Sequence, residues 1–141
     1  MRKVVLNEFG GPENLTIEDA EDLIPGPGEV LIDVEAAGVN FLDVTQRSGA
    51  SAVHLVALPL VPGLEGVGRV RALGAGVAED IQIGARVAWM DGRGSYASQM
   101  VIPAQRVVPV PDDFISTEGS DTGFVSVTSC SGAGSTGAKG G

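Results

Sequence analysis

The sequence predicts a mainly β fold: a small, partly open β-barrel with one or two short helices, followed by a Gly/Ser-rich tail. Three observations predict it. Short runs of alternating or β-branched residues recur along residues 3–111, separated by Gly/Pro turns. The side-chain period switches to a helical one in a single place, Asn40 to Ser48. After Asp113 the composition shifts, and 17 of the 28 residues from Phe114 to Gly141 are Gly, Ser or Thr.

Taken in order, Lys3 to Phe9 is a β-rich run that stops at Gly10-Gly11-Pro12, and Leu15 to Glu18 is a second short strand. Pro25-Gly26-Pro27-Gly28 is a stiff turn. Glu29 to Ala37 is the clearest strand, with Val30, Ile32, Val34 and Ala36 on one face and Asp33 and Glu35 on the other. From Asn40 to Ser48, Phe41, Leu42, Val44 and Thr45 share one side, while Asp43, Gln46 and Arg47 take the other. Asn40 is a favourable N-cap and Gly49 a favourable stop, so a helix of about two turns is expected. Ala50 to Leu58, which holds the only histidine, His54, reads as a loop.

Pro59 to Gly76 carries glycines at 63, 66, 68, 74 and 76, a pattern that suits close backbone approach around a strand at Gly68 to Ala72. Glu65 sits among these apolar and glycine neighbours; if buried, its carboxylate needs a partner, as a structural anchor or as a site residue. Strands at Gly84 to Met90 and Tyr96 to Ile102 flank a turn at Asp91 to Gly94, and Arg106 to Pro111 closes the pattern. The domain is therefore expected to span 1–113, with 114–141 a linker-like tail.

Composition removes several function classes. The formal net charge of -9 disfavours nucleic acid and anionic membranes as partners, since both demand clustered Lys and Arg. The acids at Glu18, Asp19, Glu21 and Asp22 read as a solvated turn. The most apolar window, Leu55 to Leu64, is far shorter than the roughly 20 residues of a spanning helix, and the N-terminus has no signal peptide, so a soluble, cytoplasmic chain is expected. One Cys (Cys130) and one His exclude a structural zinc site and make no case for a catalytic one, so no metal is expected. No serine occupies a nucleophile elbow, and Cys130 has no positive neighbour to activate it. Gly132-Ala133-Gly134-Ser135-Thr136-Gly137 spells a dinucleotide-binding pattern, but only four residues follow it, with no helix and no acidic residue for a ribose.

Residues 1–113, about four-fifths of the chain, resemble the N-terminal, GroES-like catalytic domain of medium-chain dehydrogenases/reductases. The zinc-free quinone oxidoreductase (zeta-crystallin-like) branch is the best match. The matching stretches are GPGEVLIDVEAAGVNFLDVTQRSG (26–49), LPLVPGLEGVGRVRALGAGV (58–77) and IGARVAWMDGRGSYASQMVIPAQRVVPVPDD (83–113). The zinc enzymes place a Cys where this chain has Asn40, and a His where Gly63-Leu64-Glu65 has Leu64.

The resemblance implies an NADPH-dependent reductase of a quinone or enone, working in a cleft between this barrel and a following Rossmann domain. By position, Asn40 is expected at the nicotinamide or substrate, with helix capping as its alternative role. Phe41 and Glu65 are expected on the cofactor side, Glu65 as a buried supporting carboxylate. Asp43 and Arg47, one helical turn apart, are expected to pair, either shaping the cleft or as a surface salt bridge. The family's aromatic residue after the helix is not evident in residues 50–54, and the tail from Phe114 does not match the family's continuation. The chain is thus expected to be a catalytic-domain fragment, truncated, frameshifted or deliberately shortened, that does not hold NADPH alone. The alternative is a non-enzymatic barrel module that forms homo-oligomers or binds a partner chain.

Overall fold

In a computed structural model, residues 1–50 and 56–112 are described. The expected loop residues Ser51 to Leu55, with His54, and the tail from Asp113, with Cys130 and the Gly132 to Gly137 pattern, lie outside the described residues.

The chain runs β1 (Arg2–Leu6), β2 (Leu15–Asp19), β3 (Glu29–Ala37), α1 (Phe41–Ser48), β4 (Gly66–Leu73), β5 (Arg86–Trp89), β6 (Gln99–Pro103) and β7 (Val107–Pro109). Short 3₁₀ turns at Pro12–Asn14 and Ala104–Arg106 complete the described elements. β1 and β2 form an antiparallel pair, and the other strands form one antiparallel sheet in the order β6-β3-β4-β5-β7. Register shifts between Leu31/Ile32 and Val34/Ala36 break the β3–β4 ladder twice. Such bulges sharpen the local twist and help curl the sheet into a half-barrel. The mainly β, partly open barrel holds.

The concave side is filled by Val30, Ile32, Val70, Ile81, Val87, Trp89, Met100, Ile102 and Val107. Val30 and Ile32 keep the alternation read from the sequence, although Leu31 on the other face is buried as well. Trp89 is 1% exposed, and its indole N–H donates to Ser95 Oγ at 2.9 Å, which in turn donates to Gly92 O at 2.9 Å. A buried indole is thereby satisfied, as burial requires.

Most strand ends move by a residue or two from expectation, and two boundaries move further. The strand expected from Tyr96 begins only at Gln99. Residues 96–98 pair with β1 instead: Val4 N donates to Tyr96 O at 2.8 Å, and Ser98 N to Arg2 O at 2.8 Å. β1 ends at Leu6, earlier than Phe9, and the Asn14 amide donates to the carbonyls of Glu8 and Phe9.

Candidate active site

The end of β3, the start of α1, the start of β4 and the turn before β6 converge on one polar cluster. Asn40 is the N-cap of α1 in extended conformation, and Gly49 closes the helix at φ 74°, donating to Gln46 O and Thr45 O. Asp43, three residues into the helix, reaches back: its Oδ2 accepts from Asn40 N at 2.8 Å. This is the returning half of a capping box, and it holds the first turn rigid. Asn40 Nδ2 donates away from the helix, to Glu65 Oε1 at 3.2 Å. Capping and site roles therefore coincide on Asn40.

Two tight approaches make this possible. A Cβ on Gly38 would lie 2.5 Å from Glu65 Oε1, so only a glycine leaves room for the carboxylate beside β3. Gly63 has φ +96°, and a Cβ there would strike the Tyr96 ring and backbone. Tyr96 N donates to Pro62 O at 3.0 Å, clipping the 62–65 segment to the turn before β6. From that turn the Tyr96 hydroxyl crosses to α1 and donates to Asp43 Oδ2 at 2.9 Å. The result is a continuous line, Tyr96–Asp43–Asn40–Glu65, behind the helix.

Asp43 and Glu65 are each only 5% exposed. Burial raises the Glu65 pKa, the Asp43 charge adds to the rise, and the Asn40 amide opposes it. The Tyr96 phenol is held neutral far above its ordinary range, first by burial, then by its bond to Asp43 and the charges of Asp43 and Glu65.

This cluster turns α1 over. The helix buries Asp43 and Gln46 and exposes Phe41, at 80%, and Val44. Phe41 and Val44 face outward, because the surface behind the helix carries the Glu65–Tyr96 line. Val39, just before the helix, is exposed as well. Phe41 is thus exposed, whereas Glu65, the other residue expected on the cofactor side, is buried. The expected Asp43–Arg47 pair is also corrected. No ion pair joins them; Asp43 Oδ2 is taken by Asn40 N and Tyr96, while Asp43 Oδ1 and Arg47 Nε are buried with no hydrogen-bond partner. Tyr96 was missed by sequence reasoning. Its signal was being the sole tyrosine, set in a Gly-flanked turn, where a buried hydroxyl demands an acceptor.

Among the described residues no group of three or more His, Cys, Asp or Glu side chains is placed to hold a metal ion. What the site offers is a rigid helix start, an amide, two buried carboxylates, a phenol held neutral and an outward apolar surface.

Residues 26–112 match the alcohol dehydrogenase GroES-like domain. The chain belongs to that family. It is 36% identical over 111 residues to a 2-haloacrylate reductase of Burkholderia sp., covering 77% of this chain and 33% of that protein. Among solved structures it resembles Escherichia coli quinone oxidoreductase complexed with NADPH, at TM-score 0.73 and 30% identity, covering 79% of this chain and 33% of that one. It also resembles human synaptic vesicle membrane protein VAT-1 homolog-like protein, at TM-score 0.76 and 37% identity, covering 82% and 37%. The family membership places it among medium-chain dehydrogenases/reductases, beside the quinone oxidoreductases. The chain spans about a third of the length of these relatives. No helix among the described residues is long and apolar enough to cross a membrane.

Proposed function

We propose that residues 1–113 form the acceptor-binding, catalytic-domain part of an NADPH-dependent reductase of quinones or other activated carbon–carbon double bonds. The domain boundary lies near residue 113, with residues 114–141 a linker-like tail or an aborted start of a nucleotide-binding domain. The observation that carries this reading is the inverted helix. An exposed Phe41 and Val44 above a buried polar line form a surface that a flat, apolar ring covers favourably, with Asn40 at its edge to orient it.

The same surface suits the nicotinamide end of NADPH: Phe41 offers an apolar face and Asn40 a polar one, while nothing nearby among the described residues cradles phosphates. NADPH, when bound, supplies the hydride. This chain's residues orient the acceptor and exclude water. Glu65, Asp43 and Tyr96 act through Asn40 and the helix start, fixing their position. The relatives named as a 2-haloacrylate reductase and a quinone oxidoreductase support an acceptor with an activated double bond. They also weigh against the non-enzymatic, self-associating barrel.

Titrating the ¹⁵N-labelled chain with duroquinone, whose full substitution spares Cys130, tests the reading. Amide shifts confined to residues 39–45 and Tyr96 are expected. Shifts centred instead on the cavity at the far end of the sheet, near Gly28, Val77 and Ala104, would refute it. NADPH alone is expected to bind these 141 residues without saturation at micromolar concentration.

A further inference from the structure

Beside the β1–β2 pair lies a cleft of about 290 Å³. Its walls are largely apolar, with Leu23, Val61, Ala97, Met100 and Val101 among them. Lys3 and Arg93 line it as well, and no Asp or Glu does. In a chain with 18 acidic and 9 basic side chains, that is the reverse of what composition favours. The larger cavity, near Gly28, Val77 and Ala104, follows the composition: Glu29 and Asp80 line it, and no Lys or Arg does.

Neither cation is engaged by the fold. Among the described residues, the side chains of Lys3 and Arg93 make no hydrogen bond or ion pair. The nearby carboxylates are occupied elsewhere or stand off. Glu18 lies across the ladder from Lys3, but its Oε1 accepts from Asn7 Nδ2 at 3.3 Å. Asp22 takes the Met1 ammonium at 3.0 Å and Arg71 at 3.7 Å. Asp91, two residues before Arg93, forms no ion pair with it. The walls are held without a ligand. Gln99, 4% exposed, accepts from Leu23 N at 3.2 Å, while Ala20 N donates to Met1 O at 2.9 Å and Ser98 N to Arg2 O at 2.8 Å. Arg93 is exposed and Lys3 half-buried, so solvent reaches the charged groups of the cleft. A preformed apolar cleft with a few polar groups, close to the lower bound of about 300 Å³ for ligand sites, suits a small molecule.

We infer that this cleft binds an amphipathic monoanion, a carboxylate carrying a short hydrocarbon chain. Lys3 and Arg93 receive the carboxylate, and Leu23, Val61 and Met100 receive the chain. A guanidinium and an ammonium together match a carboxylate's two oxygens. Both halves of the ligand are needed: charge at an exposed rim is screened by salt, and the apolar area of so small a cleft is modest. The site is separate from the acceptor surface, since none of Asn40, Phe41, Asp43, Glu65 and Tyr96 lines it. It adjoins that surface only through Val61 and Ala97, which flank the Tyr96 N to Pro62 O bond. For a minimal probe the expected Kd is about 1 mM.

The experiment titrates the ¹⁵N-labelled 141-residue chain, at constant pH and ionic strength, with hexanoate, its uncharged isostere hexanamide and the chainless anion acetate in turn. Hexanoate is expected to give saturable amide shifts at Lys3, Leu23 and residues 97–101. Hexanamide and acetate are each expected to bind at least about fivefold more weakly. Lys3→Gln combined with Arg93→Gln, or Arg93→Gln alone should the pair not fold, is expected to weaken hexanoate at least about threefold and to leave hexanamide unchanged. Equal affinities for hexanoate and hexanamide, or an unchanged hexanoate affinity in the variants, overturn the charge recognition. Acetate binding as tightly as hexanoate overturns the apolar half of the assignment. No shifts in this region, or shifts centred near Gly28, Val77 and Ala104, overturn the site itself. Residues 39–45 are expected to stay still with hexanoate, so failure here and failure of the reductase reading, which duroquinone tests, remain distinct.

Discussion

Replacing Tyr96 by Phe removes one oxygen and leaves the ring against Gly63. The loss falls on Asp43, whose Oδ2 keeps only Asn40 N and whose Oδ1 has no partner to begin with, inside a residue 5% exposed. A hydrogen bond to a charged group is worth about 1.5–3 kcal/mol, and because Tyr96 is only half-buried we take about 2 kcal/mol. For a domain of this size that corresponds to a fall in Tm of about 8 °C. The loss should shrink once Asp43 is made neutral and isosteric. In the cycle Tyr96→Phe, Asp43→Asn and the double variant, a coupling energy of about 1–2 kcal/mol is expected from denaturant unfolding. Additive effects, within about 0.5 kcal/mol, would show that the hydroxyl and the carboxylate do not act together, and the polar line behind α1 would lose its middle link.

Three further outcomes follow from the same geometry. Burial raises the Glu65 pKa, so the folded state binds more protons than the unfolded one and stability falls as pH rises from the ordinary glutamate value through the raised one; Glu65→Gln should remove that fall, seen as a gain relative to the parent at pH 7 over pH 4 in urea unfolding, and a pH-independent difference would refute it. Tyr96, the single tyrosine, should show no phenolate absorbance at pH 10.5 while the protein is folded and normal ionisation in denaturant; an ordinary titration in the native state would contradict its bond to Asp43. Phe41→Ser should leave stability within about 0.5 kcal/mol, since the ring is already 80% exposed, and abolish the duroquinone shifts; a large loss of stability would mean that the ring packs on the domain after all.

Much of the barrel was legible because local rules govern it. The alternation in Glu29–Ala37 gave β3, and Asn40 and Gly49 bracketed α1 to within a residue. What was not legible depends on what lies across from an element. The helical period of residues 41–48 defines two faces, and the rule that apolar residues turn inward selects the wrong one, because Glu65 and Tyr96 arrive from distant segments to make the inner surface polar. The i, i+4 spacing of Asp43 and Arg47 suggested a pair, but a tyrosine 53 positions away claimed the carboxylate. The same non-local effect drew residues 96–98 to β1 and shortened β6. Asn40 and Glu65, by contrast, were singled out separately and lie in direct contact.

The most direct test of the central claim is a chimera in which residues 1–112 replace the corresponding part of Escherichia coli quinone oxidoreductase. The account predicts quinone-dependent NADPH oxidation that falls at least about tenfold with Asn40→Ala, the loss of one orienting contact worth about 1.4 kcal/mol. A folded chimera that binds NADPH yet reduces neither quinones nor unsaturated carboxylates would contradict it.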